Sequence, residues 1–331
     1  MFKICVIGCG GIANSYHGPA LVKYCAENEG AVLAACCNRS VHKAEAYAQS
    51  FGFKAFYGDY REMLKAERPD AVCVYASYVS IPDIAVDVMD MGFPVMMEKP
   101  PGVNREDVSR IIDAAGRNNI PNQVAFNRRY APIVGVLKKA LDGLADTGGI
   151  DNVRCVFQRV GRKDSDFYTT AIHGIDTVRY IAGSDYSSIS FRYQELPDVN
   201  DGAANIYMDC LMKSGAAAQL CFLPCGGKVI EDYYVTCRGN DFELKMPVWG
   251  APDYPGGLYH YSGNELAERI DGGGPQFGAE LYEKFGIFSE NASFFNSVKA
   301  NAPISNDIRS ALQSVEVADC IQQRMNEYSC E

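Results

Sequence analysis

A short polar segment, "MMEKPPGVN" at residues 96–104, ends an apolar run with groups that could do chemistry. Glu98 and Lys99 follow the predicted strand, and Pro100 and Pro101 follow them. The prolines lack N–H donors and fix φ, so the segment should be stiff. A lysine at the carboxyl end of a parallel strand lies where doubly wound folds bind ligands. The residues alone leave open an ordinary ion pair of Lys99 with Glu98 or with a neighbouring helix.

A second candidate is the H-x-x-D pattern in "AIHGIDTVRYIAG", residues 171–183. His173 and Asp176 are three apart and Arg179 continues the same helix face. A His–Asp pair can position and tune an imidazole for proton transfer near neutral pH. The alternative is that Asp176 pairs with Arg179 and His173 is a packed core residue.

A glycine pattern follows the first predicted strand and opens the first predicted helix: "GCGGIA", Gly8-x-Gly10-x-x-Ala13. Gly8 permits a tight turn, Gly10 lets a pyrophosphate approach the backbone, and Ala13 allows close helix packing. The phosphates would lie at the helix N-terminus, where free N–H groups favour anions. In this context the loop, with Gly11 and Ile12, predicts dinucleotide binding rather than a plain structural turn.

The residues at the end of the second predicted strand indicate which cofactor the chain would bind. An acid there usually binds the ribose hydroxyls, but this strand ends in Asn38, Arg39 and Ser40, with Lys43 a turn later. A carboxylate would repel a 2′-phosphate, whereas Arg39 and Ser40 would favour one. The pattern favours NADP(H) over NAD. Alternatively, Arg39 is a solvated loop residue or stacks on adenine without charge preference.

The order of elements predicts an α/β protein of two domains. In residues 1–127, continuous apolar strands alternate with amphipathic helices, which is typical of a doubly wound parallel sheet of the Rossmann type. In residues 128–331, strand-like runs follow one another with few helices. They predict an α+β domain with a mainly antiparallel open sheet and helices on one face.

Composition excludes several classes of function. The 331 residues are 47% hydrophobic and 22% charged, with 41 acidic against 31 basic residues and a net charge of −10. No concentrated basic run is present, so nucleic acid is not an expected partner. No apolar stretch reaches the ~18 residues of a membrane span, and the apolar N-terminus is too short for a signal peptide.

The chain has 13 cysteines, an odd number, and only 4 histidines. Neither count favours a disulfide framework or a metal site. Several cysteines lie in apolar runs, where a thiol behaves as a small hydrophobe, and no CxxC pair occurs. We therefore expect no metal site and a reducing, cytoplasmic location.

Four segments together resemble the Gfo/Idh/MocA superfamily, the oxidoreductases related to glucose–fructose oxidoreductase and inositol dehydrogenase. They are "GCGGIA", "EKP", "VAFNRRYAP" at residues 124–132, and the H-x-x-D helix, in the expected order along the whole chain. The resemblance implies NAD(P)-dependent hydride transfer on a sugar, cyclitol or related polyol. The open sheet face of the second domain often carries subunit contacts in such enzymes, which implies a homodimer or homotetramer.

The resemblance also implies roles for individual residues. Lys99 would lie beside the nicotinamide, aimed by a following proline peptide that is often cis, while Glu98 anchors locally. Lys99 would polarise the substrate oxygen and help lower the pKa of the imidazole or the alcohol. His173 would be the acid/base, and Asp176 would orient it or bind a substrate hydroxyl.

The segment leaving the nucleotide domain supplies further candidates. Asn127 is expected at the cofactor, and Arg128 at the substrate, where adjacent arginines could clamp a carboxylate or phosphate. Adjacent strand residues point to opposite sides, so one of the two arginines is expected to make a structural ion pair instead.

The catalytic helix departs from the family pattern at one position. The aspartate that commonly stands four residues before the histidine is Thr169 here. Either the proton relay is simpler, or Tyr168 or Asp166 substitutes, or catalysis has weakened. Tyr168 and Thr169 are therefore candidate substrate-binding residues together with His173.

A second departure follows the fourth predicted strand. The segment "ASYVSI" stands in place of a TPxxxxH-like pattern, and the usual histidine position is Ile81. Ser77 and Tyr78 would then line the cofactor cleft.

Residues 247–280 are rich in glycine, proline and aromatic residues and predict a long irregular loop. Such loops often bind ligands, and its aromatic faces would suit a carbohydrate. Surface packing or an oligomer contact would account for the tyrosines equally well.

These observations favour an NAD(P)-dependent dehydrogenase or reductase acting on CH–OH groups. Two alternatives stay open: a non-catalytic, cofactor-sensing regulator on the same fold, favoured by Thr169, and a glycosidase that uses transient oxidation by bound NAD. The alternative glycosidase has no independent motif in the sequence.

Overall fold

The computed structural model describes residues 1–144, 149–165 and 167–330. Contacts divide the chain into two compact units. The first comprises Met1–Asn127 and Ile287–Val315, and the second comprises Arg128–Gly286 and the residues from Glu316 onward. The sequence placed residues 287–315 with the second domain, whereas their contacts group them with the first unit.

The sheet of the first unit has six parallel strands in the order β3-β2-β1-β4-β5-β6. The strands are β1 (Phe2–Ile7), β2 (Ala31–Cys37), β3 (Ala55–Tyr57), β4 (Ala71–Val74), β5 (Val95–Met97) and β6 (Asn122–Val124). Every residue of β4 and β5 is buried, as expected for parallel strands covered on both faces. The strand order reverses between β1 and β4, which is the switch point where such sheets bind ligands.

Helices cover both faces of this sheet. A π-helical turn, Ala13–His17, runs directly into α1 (Gly18–Glu27). The others are α2 (Val41–Phe51), α3 (Tyr60–Glu67), α4 (Ile81–Asp90), α5 (Arg105–Arg117) and α9 (Ile287–Ala300). Helix α10 (Ile308–Gln322) begins in the first unit and ends in the second. Helix α3 shows typical N-terminal capping: the Asp59 side chain accepts hydrogen bonds from two of its backbone N–H groups.

Helix α9 completes the core of the first unit. Its Phe294 and Phe295 are fully buried among residues of β1, β2 and α1. The ring of Phe295 lies 4.9 Å from that of Tyr24, between centroids, and 6.0 Å from that of Phe2. Aromatic pairs of this kind add to the stability that burial alone supplies.

The second unit holds a nine-stranded sheet in the order β14-β13-β12-β11-β7-β10-β9-β8-β15. Among its described strands only β7 and β10 pair in parallel, so the predicted fold class is confirmed. The strands are β7 (Ile150–Gln158), β8 (Tyr186–Glu195), β9 (Ala204–Met212), β10 (Ala217–Leu223), β11 (Ile230–Cys237), β12 (Asn240–Lys245), β13 (Gly257–Ser262), β14 (Glu265–Asp271) and β15 (Glu327–Ser329). The helices are α6 (Pro132–Asp142), α7 (Tyr168–Ala182) and α8 (Leu281–Lys284).

Helix α7 lies close against one face of this sheet. A Cβ atom at Gly174 would come within 2.8 Å of the Phe222 ring, so only glycine allows this approach. Along β10, buried and more exposed residues alternate, which is the pattern of a sheet with one covered face. The glycine in the middle of "AIHGID" therefore sets the depth at which α7 packs.

The prediction of an irregular loop over residues 247–280 is wrong in its middle. The hairpin of β13 and β14 occupies it and extends the sheet at one edge. Six of the seven residues of β14 are exposed, so the strand has no apolar face to reveal it in the sequence. Ring stacking at 4.3 Å between centroids holds His260 against Phe242, and Asn240 Oδ1 lies 2.9 Å from its Nε2.

Candidate functional site

The first group of candidate residues forms a glycine turn after β1. Gly8 has φ of +102°, and a Cβ there would lie 2.4 Å from the carbonyl oxygen of Tyr75. Its N–H donates to the carbonyl of Cys37 at 2.8 Å, which ties the turn to the end of β2. Only glycine fits this position. At Gly10 a Cβ would meet nothing within 4 Å, so the next part of the turn borders open space.

A cavity of about 350 Å³ lies beside this turn, at the carboxyl ends of β1 to β4. Its lining residues are Ile7, Gly8, Gly10, Cys37, Asn38, Arg39, Gly58, Tyr60, Tyr75, Ala76, Ser77, Ser80 and Ile84. The cavity, the glycine cradle and the switch point coincide, which fits the pyrophosphate and adenosine portions of a dinucleotide. Five of the predicted cofactor residues line it: Gly8, Gly10, Asn38, Arg39 and Ser77.

Asn38 braces the glycine turn. Its Oδ1 accepts a hydrogen bond from the N–H of Cys9 at 3.3 Å, and its Nδ2 donates to the carbonyl of Ser40 at 3.2 Å. Arg39 is exposed at the rim of the cavity. The position that usually holds a ribose-binding acid is therefore occupied by Asn38, whose amide hydrogen-bonds to the main chain. The cation Arg39 follows it.

Other predicted cofactor residues are not among those that line this cavity. Gly11 and Ile12 are exposed in the glycine turn, and Ala13 is buried in the π-helical turn. Ser40 precedes α2, where Lys43 is exposed, Tyr78 follows Ser77, and Asn127 is buried at the start of a 3-10 turn, Asn127–Tyr130. Their contacts with a cofactor stay predictions.

Sequence reasoning missed several lining residues, notably Gly58, Tyr60 and Tyr75. Each follows the carboxyl end of a parallel strand, and that rule alone could have found them. The hydroxyl of Tyr60 donates to Asp87 at 2.6 Å, and burial together with this bond raises the pKa of Tyr60.

The Lys99 segment leaves β5 in a fixed conformation. The Lys99–Pro100 peptide is cis, as the resemblance implied. The N–H of Glu98 donates to Val74 at 3.0 Å, and the N–H of Lys99 donates to Glu98 Oε2 at 3.0 Å. The other oxygen of Glu98 lies 2.8 Å from Nε2 of the buried His17. Burial alone would raise the pKa of Glu98, but the hydrogen bond from His17 and the charge of the nearby Lys99 hold it below its usual range.

The second group surrounds His173 in α7. The imidazole is 6% exposed, and Arg128 Nη1 lies 2.9 Å from both ring nitrogens. At 2.9 Å from both nitrogens, the guanidinium nitrogen lies against the ring and is not aligned with the lone pair of either one. The sequence predicted that Asp176 would orient His173 or bind a substrate hydroxyl, which stays a prediction; the structure also brings Arg128 to the imidazole.

Glu231 of β11 holds Arg128 in place. Its carboxylate accepts from Arg128 at 3.1 Å and 2.7 Å and also pairs with Arg159. Burial alone would raise the pKa of Glu231, but the two guanidiniums lower it below its usual range. The Arg128 guanidinium also lies over the ring of Phe285, at 4.3 Å from its centroid. Sequence reasoning missed Glu231, although an acid inside the apolar run "VIEDYYV" was a signal of the same kind as Glu98.

Asp176 is engaged with a different arginine. It accepts from Arg129 Nε at 2.7 Å and from Nη2 at 2.5 Å, and Arg179 Nη1 lies 4.0 Å away. Arg179 makes its own pair with Asp185. The two adjacent arginines, Arg128 and Arg129, thus both contact internal carboxylates.

The other predicted substrate residues lie at the start of α7. Tyr168 is its first residue and is buried, and Thr169 follows, half-buried. Asp166, the alternative proton relay, lies outside the described residues. The catalytic and substrate roles of these side chains stay predictions.

Within residues 1–144, 149–165 and 167–330, no group of three or more His, Cys, Asp and Glu side chains could hold a metal ion. No helix among those residues is long and apolar enough to cross a membrane. All thirteen cysteines are free thiols.

Comparison with known proteins gives one match to a family model. Residues 2–126 match the oxidoreductase family with an NAD-binding Rossmann fold, Gfo/Idh/MocA. The chain is 30% identical to the inositol 2-dehydrogenase of Klebsiella pneumoniae over 201 residues, which are 58% of this chain and 57% of that protein. It therefore spans little more than half the length of this relative.

Solved structures resemble the whole chain. A levoglucosan dehydrogenase in complex with NADH and levoglucosan matches with a TM-score of 0.84 at 17% identity, covering 99% of both chains. KijD10, a 3-ketoreductase from Actinomadura kijaniata in complex with NADP, matches with a TM-score of 0.76 at 16% identity and 97% coverage of both chains. At such identities these structures establish a shared fold.

Proposed function

We propose that the chain is an NAD(P)-dependent dehydrogenase or reductase of the Gfo/Idh/MocA type, the oxidoreductase family whose model matches residues 2–126. Its substrate is a secondary alcohol or ketone on a sugar, cyclitol or related polyol. The observation that carries the proposal is Lys99, held at the carboxyl end of β5 in a sheet whose glycine turn borders a ligand-sized cavity.

The chain's own residues would divide the work as follows. The Gly8–Gly10 turn and the rim residues Asn38 and Arg39 would hold the dinucleotide. When bound, the nicotinamide supplies or accepts the hydride. Lys99 would donate a hydrogen bond to the substrate oxygen and stabilise negative charge there.

His173 would exchange the proton of that same oxygen. The positive charge of Arg128 beside the imidazole opposes a second positive charge there, and a neutral imidazole is a competent base. The bidentate pair with Arg129 favours a role for Asp176 in fixing α7 over direct contact with substrate. Arg128, bound to Glu231, would act beside His173 instead of reaching freely for an anion.

The relatives support the substrate class. The curated relative is an inositol dehydrogenase, and a structural neighbour holds levoglucosan, so both act on or bind polyhydroxylated rings. For the cofactor, the exposed cation Arg39 and the amide Asn38 support NADP(H) over NAD(H).

The direct test is a screen of NADPH and NADH oxidation, and of NADP and NAD reduction, against sugars, cyclitols and their ketones. Turnover with one member that depends on both Lys99 and His173 supports the proposal. Cofactor binding without turnover of any member would favour a cofactor-sensing regulator. The observation that favours that second candidate is Thr169, which stands in the first turn of α7 where the family commonly has an aspartate.

A further inference from the structure

His17 is a buried polar side chain that the proposed chemistry does not use. It ends the π-helical turn before α1 and is 1% exposed. Its ring stacks on Tyr75, with centroids 3.9 Å apart and planes inclined by 19°. A buried imidazole needs hydrogen-bond partners, and π-helical turns are frequent at functional sites.

Asn291 of α9 fixes the proton positions on this imidazole. Its Nδ2 donates to the carbonyl of Ile287 at 2.7 Å and lies 3.1 Å from His17 Nδ1, while its Oδ1 accepts from the Tyr75 hydroxyl at 2.9 Å. The opposite amide orientation would place two oxygens together at Ile287. Nδ1 of His17 is therefore an acceptor, and Nε2 carries the proton.

The protonated Nε2 of His17 then donates to Glu98 Oε1 at 2.8 Å. The second oxygen of Glu98 accepts from the main-chain N–H of Lys99 at 3.0 Å. Both carboxylate oxygens are thus committed, one to an imidazole and one to the backbone of Lys99. A chain of hydrogen bonds connects Tyr75, Asn291, His17 and Glu98 to that backbone.

This arrangement is a poor device for stability alone. Burying charged and polar groups carries a desolvation penalty, and apolar residues of similar volume often stabilise a core as well or better. What the chain of bonds supplies is orientation, because hydrogen bonds require their donors and acceptors to be aligned. The group at its end is the N–H of the residue whose amine is assigned to the substrate.

We propose that His17 and Asn291 are positioning residues that set the direction of Lys99 through the Glu98 carboxylate. The effect on turnover rests on the proposed function, since it requires Lys99 to act on substrate. The anchoring of the Lys99 backbone does not, and it is measured separately.

The experiment compares His17→Phe with His17→Gln in the full chain. Phenylalanine keeps the ring stack on Tyr75 but removes both nitrogens, whereas glutamine restores a donor and an acceptor. Amide hydrogen exchange at Lys99, by NMR, reports the anchor without any substrate. We expect exchange at Lys99 to be about tenfold faster in His17→Phe, the fold-change of one lost charge-assisted bond, and closer to wild type in His17→Gln.

Two further measurements use the NADPH-bound protein and the best substrate of the polyol panel. In His17→Phe the NADPH dissociation constant should change less than about threefold, while kcat falls about 30- to 100-fold, as expected for a misplaced catalytic group. Gln at this position should recover most of the loss.

Unchanged exchange at Lys99 in His17→Phe would overturn the inference, and so would equally faster exchange in every strand of the first unit, which would indicate a purely structural role. Faster exchange confined to the Lys99 segment with unaltered kcat would uphold the anchor and count against Lys99 as the catalytic group. A chain that turns over no substrate leaves the exchange result decisive for the anchor.

Discussion

At the scale of single residues, the proposed chemistry depends on the amine of Lys99. Replacement by methionine keeps the length of the side chain and removes its charge. We expect kcat to fall by about 10²- to 10³-fold, because a donor that stabilises negative charge on the substrate oxygen is lost, with NADPH affinity changed less than about threefold. Steady-state kinetics and cofactor fluorescence titration measure the two effects.

Lys99→Arg is the matched control, since it keeps the charge and tests the shape of the site. Equal losses of turnover and cofactor affinity in Lys99→Met would show that the lysine only holds the cofactor.

A second residue-scale prediction concerns Arg39 at the rim of the cavity. Arg39→Ala should weaken NADPH binding by about tenfold, because one charge-assisted contact to the 2′-phosphate is lost, and should change NADH binding less than about twofold. Lys65→Ala, an exposed cation in the last turn of α3, is the control. If Arg39→Ala weakens both cofactors alike, Arg39 stacks on adenine and does not select NADP.

Sequence patterns located some residues and missed others for a physical reason. Glu98, Lys99 and Gly8 were visible because a charge or a glycine interrupts an apolar strand at its end, where ligands bind and chains turn. Partner choice was not visible: Asp176 pairs with Arg129 and His173 meets Arg128, and those contacts depend on how distant segments pack. His17 gave no signal, since a lone histidine in a helix has no pattern.

At the scale of elements, the packing depth of α7 carries His173, and Gly174 sets it. Gly174→Ala should destabilise the protein by about 1–3 kcal/mol, because the added methyl group overlaps the buried Phe222 ring. Urea denaturation measures the change.

The control is Gly135→Ala in α6, where a Cβ meets nothing within 4 Å. There the better helix propensity of alanine should stabilise by up to about 1 kcal/mol. A stabilising effect of alanine at position 174 would mean that the sheet gives way and that the glycine is not required.

Element prediction succeeded where burial is two-sided and failed where it is absent. The strands β2, β4 and β5 are continuous apolar runs, and their order along the chain was apparent. Strand β14, "ELAERID", has no buried face, so its residues looked like a loop. Edge strands of this kind are defined by the neighbour they pair with and not by their own pattern.

At the scale of the whole molecule, two neighbouring acids, Glu231 and Asp232, affect the pH dependence of the free energy of unfolding in opposite directions. The folded-state pKa of Glu231 is lowered, so its contribution is present above its unfolded pKa and is lost as pH falls. Burial raises the pKa of Asp232 to about 6, with Asp253 adding to the effect. The contribution of Asp232 is therefore full below its unfolded pKa and is lost as pH rises through about 6.

Asp232→Asn should accordingly raise the free energy of unfolding at pH 7 by on the order of 1–2 kcal/mol, with a smaller effect near pH 4. Denaturation at a series of pH values measures it, and Asp209→Asn, an exposed acid of β9, is the control. A larger gain at low pH than at pH 7 would contradict the assigned direction.

The return of residues 287–315 to the first unit has a consequence for the order in which the polypeptide is made. Phe294, Phe295 and Asn291 reach the nucleotide-binding core only after the ribosome has translated residues 128–286. A nascent chain halted near residue 286 would lack part of its hydrophobic interior and the amide that orients His17. We therefore expect a fragment of residues 1–127 expressed alone to be aggregation-prone, and co-expression of residues 287–315 to improve its yield of folded, NADPH-binding material.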